Sequence, residues 1–141
     1  MANSQKERIT EHLQDTYGTE AEHLWTQYPE YSVFRHPISR KWYALFASIP
    51  ESKLGLAGER RVDVLDIKCS SILVGSLLAE KGFFPAYHMN KKTWILVLLD
   101  GSVPDEEIMQ LLELAYDSVA PKSIRKKENN EEISDLILKK Q

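Results

Sequence analysis

A single cysteine, Cys69, stands in 141 residues, so no internal disulfide staples the chain and nothing points to an oxidising compartment. The longest apolar run, Ile95 to Leu99, is far short of the roughly 20 residues a membrane span needs. The first eight residues carry no apolar segment of the kind a secretory leader requires, and the expectation is a cytoplasmic protein. No glycine-rich phosphate loop is present. The four histidines, His12, His23, His36 and His88, lack metal-ligand spacing, and one cysteine makes no zinc site. Neither an internal repeat nor a low-complexity stretch occurs. A disulfide scaffold, a transmembrane protein, a P-loop nucleotide binder and a zinc module are thereby set aside. The expectations are no metal, no cofactor and no enzymatic activity. Cys69 and His88 would form a nucleophile–base pair only if the fold brought them together.

What is present is ordinary for a globular protein: 43% apolar and 28% charged residues. The length suits one hydrophobic core and no more. Net charge is −3, which taken alone argues against an obligate nucleic-acid binder. Its distribution is uneven. Residues 1–30 carry two basic and six acidic side chains, and residues 31–99 ten basic and five acidic. Residues 100–119 hold six acids and no base, and residues 120–141 six bases and four acids. A positive middle between acidic helices can present a basic face on an anionic molecule.

Periodicity places the elements. Ile9, Leu13 and Tyr17 predict a helix over 6–17, stopped by Gly18. Residues 19–32 read as a loop or short turn around Trp25. A short strand over 33–36 turns through Pro37-Ile38-Ser39-Arg40 into a second over 41–49, where Trp42, Ala44 and Phe46 alternate with Tyr43, Leu45 and Ala47. Residues 50–58 form a connection. In the third strand, 62–69, the apolar alternation changes phase, which predicts a bulge or a late start near Val64. Ser70 or Ser71 caps a helix to about Lys81, with Gly82 as its stop. Pro85 makes 83–87 an edge strand, and 93–99 is a strong central one. Asp100-Gly101 turns the chain. Pro104 opens a helix whose first turn, Asp105, Glu106 and Glu107, complements its dipole and whose buried stripe is Ile108, Leu111, Leu112, Ala115 and Val119. The order α-β-β-β-α-β-β-α with hairpin-length links predicts an α+β domain: a two-layer α/β sandwich with a mostly antiparallel five-stranded sheet and helices on one face. Residues 1–120 form that domain. Residues 121–141 form a charged tail, with Ile133, Leu136 and Ile137 at helical spacing predicting a short helix over 131–140.

With Trp25, Val33-Phe34-Arg35, Lys41-Trp42-Tyr43-Ala44-Leu45, Ile67-Lys68-Cys69, His88-Met89-Asn90-Lys91 with Trp94, and Leu99 to Asp105 in this order and spacing, the chain resembles the MmcQ/YjbR family of small bacterial proteins. The resemblance runs from about residue 4 to 119 and leaves the tail outside. It implies a fold similar to type III secretion chaperones. It also carries a DNA-binding label without catalytic residues.

Two readings of function stay open. The first is weak DNA binding through a basic sheet and loop surface. Its candidate residues are Arg35, Arg40, Lys41, Arg60, Arg61, His88, Asn90, Lys91, Lys92 and Trp94: cations and donors for phosphates, with an aromatic to stack on an unpaired base or to buttress the loop. The bland counterpart is a turn at Asn90, a core Trp94 and solvated lysines. No recognition-helix motif is visible. The second reading is a protein-interaction or chaperone-like module, with a protein partner or a second copy of the chain, using the sheet face the helices leave open. Strands 41–49 and 93–99 are apolar on both faces, so something should cover the surplus: a partner, a ligand, the tail, or loops 19–32 and 50–60.

Overall fold

The computed structural model describes residues 3–124. Helix α1, Gln5–Tyr17, starts in a reciprocal capping box in which Ser4 Oγ accepts from the Glu7 amide and Glu7 accepts from the Ser4 amide. Gly18, at φ 63°, closes it. Strands follow at Ser32–Arg35 (β1), Trp42–Pro50 (β2), Arg61–Lys68 (β3), Phe83–Pro85 (β4) and Trp94–Leu98 (β5). Between them lie α2, Ser71–Leu77, and finally α3, Asp105–Ser118. The sheet has five strands in the order β1-β2-β3-β5-β4, every neighbouring pair antiparallel. The α+β architecture is as expected.

Three local expectations shift. Helix α2 stops at Leu77, and residues 78–81 form a tighter turn closed by the Glu80 amide on the Leu77 carbonyl. The chain must reverse into β4 there, through Gly82 at φ 91°, where a Cβ would sit 2.6 Å from Val103 Cγ2. Pro104 is the N-cap of α3 rather than its first helical residue. The third-strand irregularity is absent: β3 pairs with β2 without a break from Arg61 opposite Pro50 to Ile67 opposite Ala44. Its phase change reflects a strand apolar on both faces, Leu65 and Ile67 toward the helices and Val62 and Val64 away from them. The irregularity lies instead in the first hairpin, where the register slips between Phe34 and Arg35. The proposed helix at 131–140 lies outside the described residues.

All three helices cover one sheet face. Ile9, Leu13, Leu73, Leu77, Ile108, Leu111 and Leu112 pack with Phe34, Phe46, Leu65, Ile67, Ile95 and Val97 in one buried cluster. Helices α1 and α3 run side by side in the same direction. At their N-terminal ends Gln5 bonds Val103 and Asp105, and Arg8 pairs with Asp105 at 2.6 Å. At their C-terminal ends Tyr17 stacks on Tyr116 with ring centroids 4.2 Å apart. On the opposite face a smaller cluster, Ala47, Ile49, Val64, Leu96 and Leu98, is roofed by Tyr31, Leu54 and Tyr87 from the connecting loops. Those loops answer much of the two-faced apolar pattern.

Candidate functional site: an aromatic cleft on the open sheet face

The bulge in the first hairpin decides which side chains meet on the open face. Arg35 pairs with Trp42 and Phe34 with Ala44, so Tyr43 is the extra residue on β2. In an unbroken strand Trp42 would share the helix side with Ala44 and Phe46. The inserted residue turns it to the open side, beside Leu45 and Ala47, and leaves Tyr43 in the helix-side core. Trp42 then forms one wall of a cleft of about 420 Å³ floored by Leu45 and Ala47.

Two loops raise the other walls. The first is pinned to the edge of β1 by an isolated bridge between Glu22 and Val33, and it supplies Trp25, Tyr28 and Tyr31. Trp25 meets Trp42 edge-on at 5.9 Å and Tyr31 at 6.0 Å, and Tyr28 stacks on Tyr31 at 4.9 Å. The second loop supplies Tyr87, His88 and Met89. Its shape is set by its own polar groups. His88 sits in the left-handed region at φ 61°. Asn90 Oδ1 accepts from the Lys92 amide at 2.8 Å, and Lys91 Nζ donates to the Ala86 carbonyl at 2.9 Å. The Tyr87 amide donates to Asp66 Oδ1 at 3.1 Å. Asp66 is 2% exposed. Burial pushes its carboxyl up to about 7, against the Tyr87 amide and Lys91, which pull it down.

Antiparallel alternation brings the ends of β1 and β3 together with the starts of β2 and β5. Arg35, Arg40, Lys41, Lys68, Lys91 and Lys92 therefore gather at this end of the sheet. Glu22 partners two of them, Arg35 at 3.1 Å and Arg40 at 3.6 Å. The Arg35 guanidinium lies 5.8 Å from the centre of the Trp42 ring, and Lys68 Nζ lies 5.7 Å from that of Trp94. Positive charge thus rims an apolar, aromatic cleft.

Of the ten residues singled out from the sequence, eight lie at this end. Arg60 and Arg61 do not. Arg61 starts β3, seven residues and roughly 23 Å of strand from Lys68, and Arg60 precedes it; Glu51 engages Arg60 at 3.5 Å and Glu30 engages Arg61 at 3.6 Å. Trp94 is 6% exposed and buttresses the sheet instead of offering a free ring face. His36, expected beside Arg35, is buried on the helix side. Cys69 packs against the helix-side core, with burial pushing its thiol up to about 12, while His88 lines the cleft on the other face. The two make no nucleophile–base pair. The residues that sequence reasoning passed over are Tyr28, Tyr31, Tyr87 and Met89. Three aromatics within seven loop residues, 25–31, were the available signal, since loops seldom carry such rings without a surface to build.

No group of His, Cys, Asp and Glu among the described residues is placed to hold a metal ion. No helix among them is long and apolar enough to cross a membrane.

Known proteins share this framework. The YjbR family model matches residues 14–118. The uncharacterised Bacillus subtilis protein YyaQ is 35% identical over 111 residues, spanning 79% of this chain and 94% of that one. A crystal structure of a Pseudomonas syringae protein is 43% identical with a TM-score of 0.79, covering 82% of this chain and 98% of its own. A solution NMR structure from the same organism is 41% identical with a TM-score of 0.76, covering 86% and 98%. A Deinococcus radiodurans crystal structure, 23% identical with a TM-score of 0.59 over 88% of this chain and 86% of its own, shares the fold. With its matched span running from the last turn of α1 to the end of α3, and so through the whole sheet and both loops of the cleft, the chain belongs to the YjbR family.

Proposed function

We propose that the protein is a non-enzymatic binder of single-stranded DNA, holding an unpaired base in the aromatic cleft and the flanking phosphates on its cationic rim. The cleft supports this reading best. Its walls are Trp25, Trp42 and Tyr87, and a base inserted among them gains stacking worth about 1–3 kcal/mol without needing a particular sequence. Arg40, Lys41 and Lys92 are exposed at the rim and suit phosphates, which need only charge and donors. Lys91 shapes the loop through Ala86 and contributes its charge secondarily. A duplex buries its bases and offers nothing to the cleft.

The test is titration of the full chain with a labelled oligothymidylate at low salt, read by anisotropy and by quenching of tryptophan fluorescence. Binding is expected to weaken with salt at a log–log slope of about −2, as for roughly three phosphates on a single strand. Trp25→Ala should cost about tenfold in affinity, and Lys41→Ala with Lys92→Ala should flatten the slope. Absence of binding at low salt, or affinity indifferent to Trp25→Ala, overturns the proposal.

A second reading draws on Leu24 and Tyr28, 45% and 47% exposed beside the cleft. They would equally receive an apolar side chain of a protein partner or of a second copy of this chain. That reading requires mass to rise with concentration in sedimentation, and Tyr28→Lys to abolish the rise. A constant monomer mass removes the homodimer.

A further inference from the structure

A second cavity, of about 590 Å³, lies in the helical layer, on the other side of the molecule from the cleft. It is bounded by the last turns of α1 and α3 and by Pro37 and Ile38 of the first hairpin's turn. Its volume is in the range of small-molecule sites. Glu113 and Asp117 border it as well, but each already has a partner, and neither is left for a ligand. The character of the cavity comes instead from one imidazole and the apolar surface around it.

The imidazole belongs to His36, 2% exposed yet lining the cavity. Its Nδ1 faces two backbone amides, those of Ile38 at 3.1 Å and Ser39 at 3.4 Å. Both are donors, so Nδ1 accepts and the proton of the neutral ring is on Nε2. A second proton would cost those bonds. Burial holds the ring below the usual histidine range, with the Asp117 charge pulling the other way. Tyr116 packs on the ring with centroids 4.5 Å apart and holds its plane. Nε2 has no hydrogen-bond partner among the described residues. Nor is it enclosed by protein, so its N–H opens onto the cavity that the ring lines. A single polar group held at one angle in a mostly apolar recess is how small-molecule sites fix orientation.

Much of the remaining wall is apolar or aromatic: Met109, Pro37, Ile38 and the rings of Tyr17 and Tyr116. Those two rings stack on each other at 4.2 Å, and Tyr43 meets them edge-on from the core at 6.2 and 5.2 Å, which braces the wall. Met109 adds a polarisable thioether, which suits the edge of an aromatic ring. No lysine or arginine among the described residues lines the cavity. A carboxylate or phosphate entering it would exchange its hydration for one N–H, a losing exchange. A cation would find both carboxylates engaged.

We propose that this cavity binds a small uncharged aromatic molecule by its carbonyl oxygen, which accepts from His36 Nε2 while the ring lies against Met109, Pro37 and Ile38. The site is independent of the cleft and has none of its cationic rim.

Benzamide, benzoate and benzamidinium share one shape and differ in charge, and they test the site on the full chain by NMR. Millimolar benzamide is expected to shift the Ile38, Ser39 and Tyr116 amide resonances saturably, and with them the His36 Nε2 resonance as it takes up the carbonyl. Benzoate and benzamidinium should each bind at least about tenfold more weakly. Asparagine and glutamine divide the two roles of the imidazole, the asparagine oxygen standing in for Nδ1 and the glutamine amide nitrogen for Nε2. His36→Asn should therefore weaken benzamide about tenfold, and His36→Gln by no more than about threefold. Unmoved resonances of β3 and β5 control for folding in both variants. No saturable shift with benzamide, equal affinity for the three molecules, or unchanged benzamide affinity in His36→Asn overturns the proposal.

Discussion

Asp66 occupies a position where an apolar residue would cost less. It stands in the middle of β3 on the open face, between Leu45 and Leu96 on the neighbouring strands. Its reward is the Tyr87 amide, which it ties to the sheet at 3.1 Å, holding down the loop that walls the cleft. Burial raises its carboxyl to about 7, so the fold favours the protonated form relative to the unfolded chain. The stability this contributes is complete below about pH 4 and is lost as pH rises through about 7. The difference between those limits is about 4 kcal/mol. Asp66→Asn keeps an oxygen for the Tyr87 amide and carries no charge. It should melt with the wild type near pH 4 and clearly above it near pH 8, in thermal scans followed by circular dichroism. Identical melting at both pH values would mean that Asp66 ionises without penalty. Lys91 is the cation positioned to lower that penalty, and its spacing from Asn90 and Trp94 was visible in the sequence, but its bond to Ala86 was not.

At the scale of elements, Gln5 and Arg8 join α1 to the start of α3, and Gln5 does so from a buried position. Gln5 is buried, donates through Nε2 to Val103 O at 2.8 Å and Asp105 Oδ1 at 2.9 Å, and accepts from the Gly101 amide at 2.9 Å. It satisfies backbone groups that the turn before α3 cannot pair internally. Gln5→Leu, of similar volume, leaves them unpaired and should destabilise the protein by about 2 kcal/mol in urea unfolding with an unchanged m-value. The two helices also end together, α1 having 13 residues and α3 14, and Tyr17 stacks on Tyr116 there. The bulge in β1–β2 has the corresponding role on the other face. A single extra residue, Tyr43, moves Trp42 from one side of the sheet to the other.

For the whole molecule, charge and shape point the same way. The chain is anionic at −3, yet six of its cations gather at one end of the sheet, while α3 opens with Asp105, Glu106 and Glu107. A duplex keeps its bases paired and offers only phosphates to the rim, whereas a single strand can follow the rim and place a base in the cleft. Single-stranded DNA should therefore bind at least about tenfold more tightly than a duplex of equal length at the same salt. Competition anisotropy measures the ratio. Equal affinity would place binding on charge alone and remove the cleft from it. Arg60 and Arg61 should not matter: reversing both should leave single-strand affinity within about twofold, since each already has an acidic partner at the far end of the sheet.

Elements, turns and caps were legible in the chain by itself, since each is set by residues within a few positions: Gly18 after Tyr17, Ser70 before α2, Asp100-Gly101, and the 3.6-residue stripe of α3. The antiparallel sheet followed from the short links between strands. The tertiary structure alone decided which face Trp42 looks toward, that Arg61 lies a strand's length from Lys68, that His36 is buried on the helix side with Nδ1 facing the Ile38 amide, and that α1 and α3 run in the same direction. Each of these depends on register, bulge placement and helix direction. Such features arise from packing between segments far apart in sequence, and a period-2 pattern apolar on both faces leaves them undetermined.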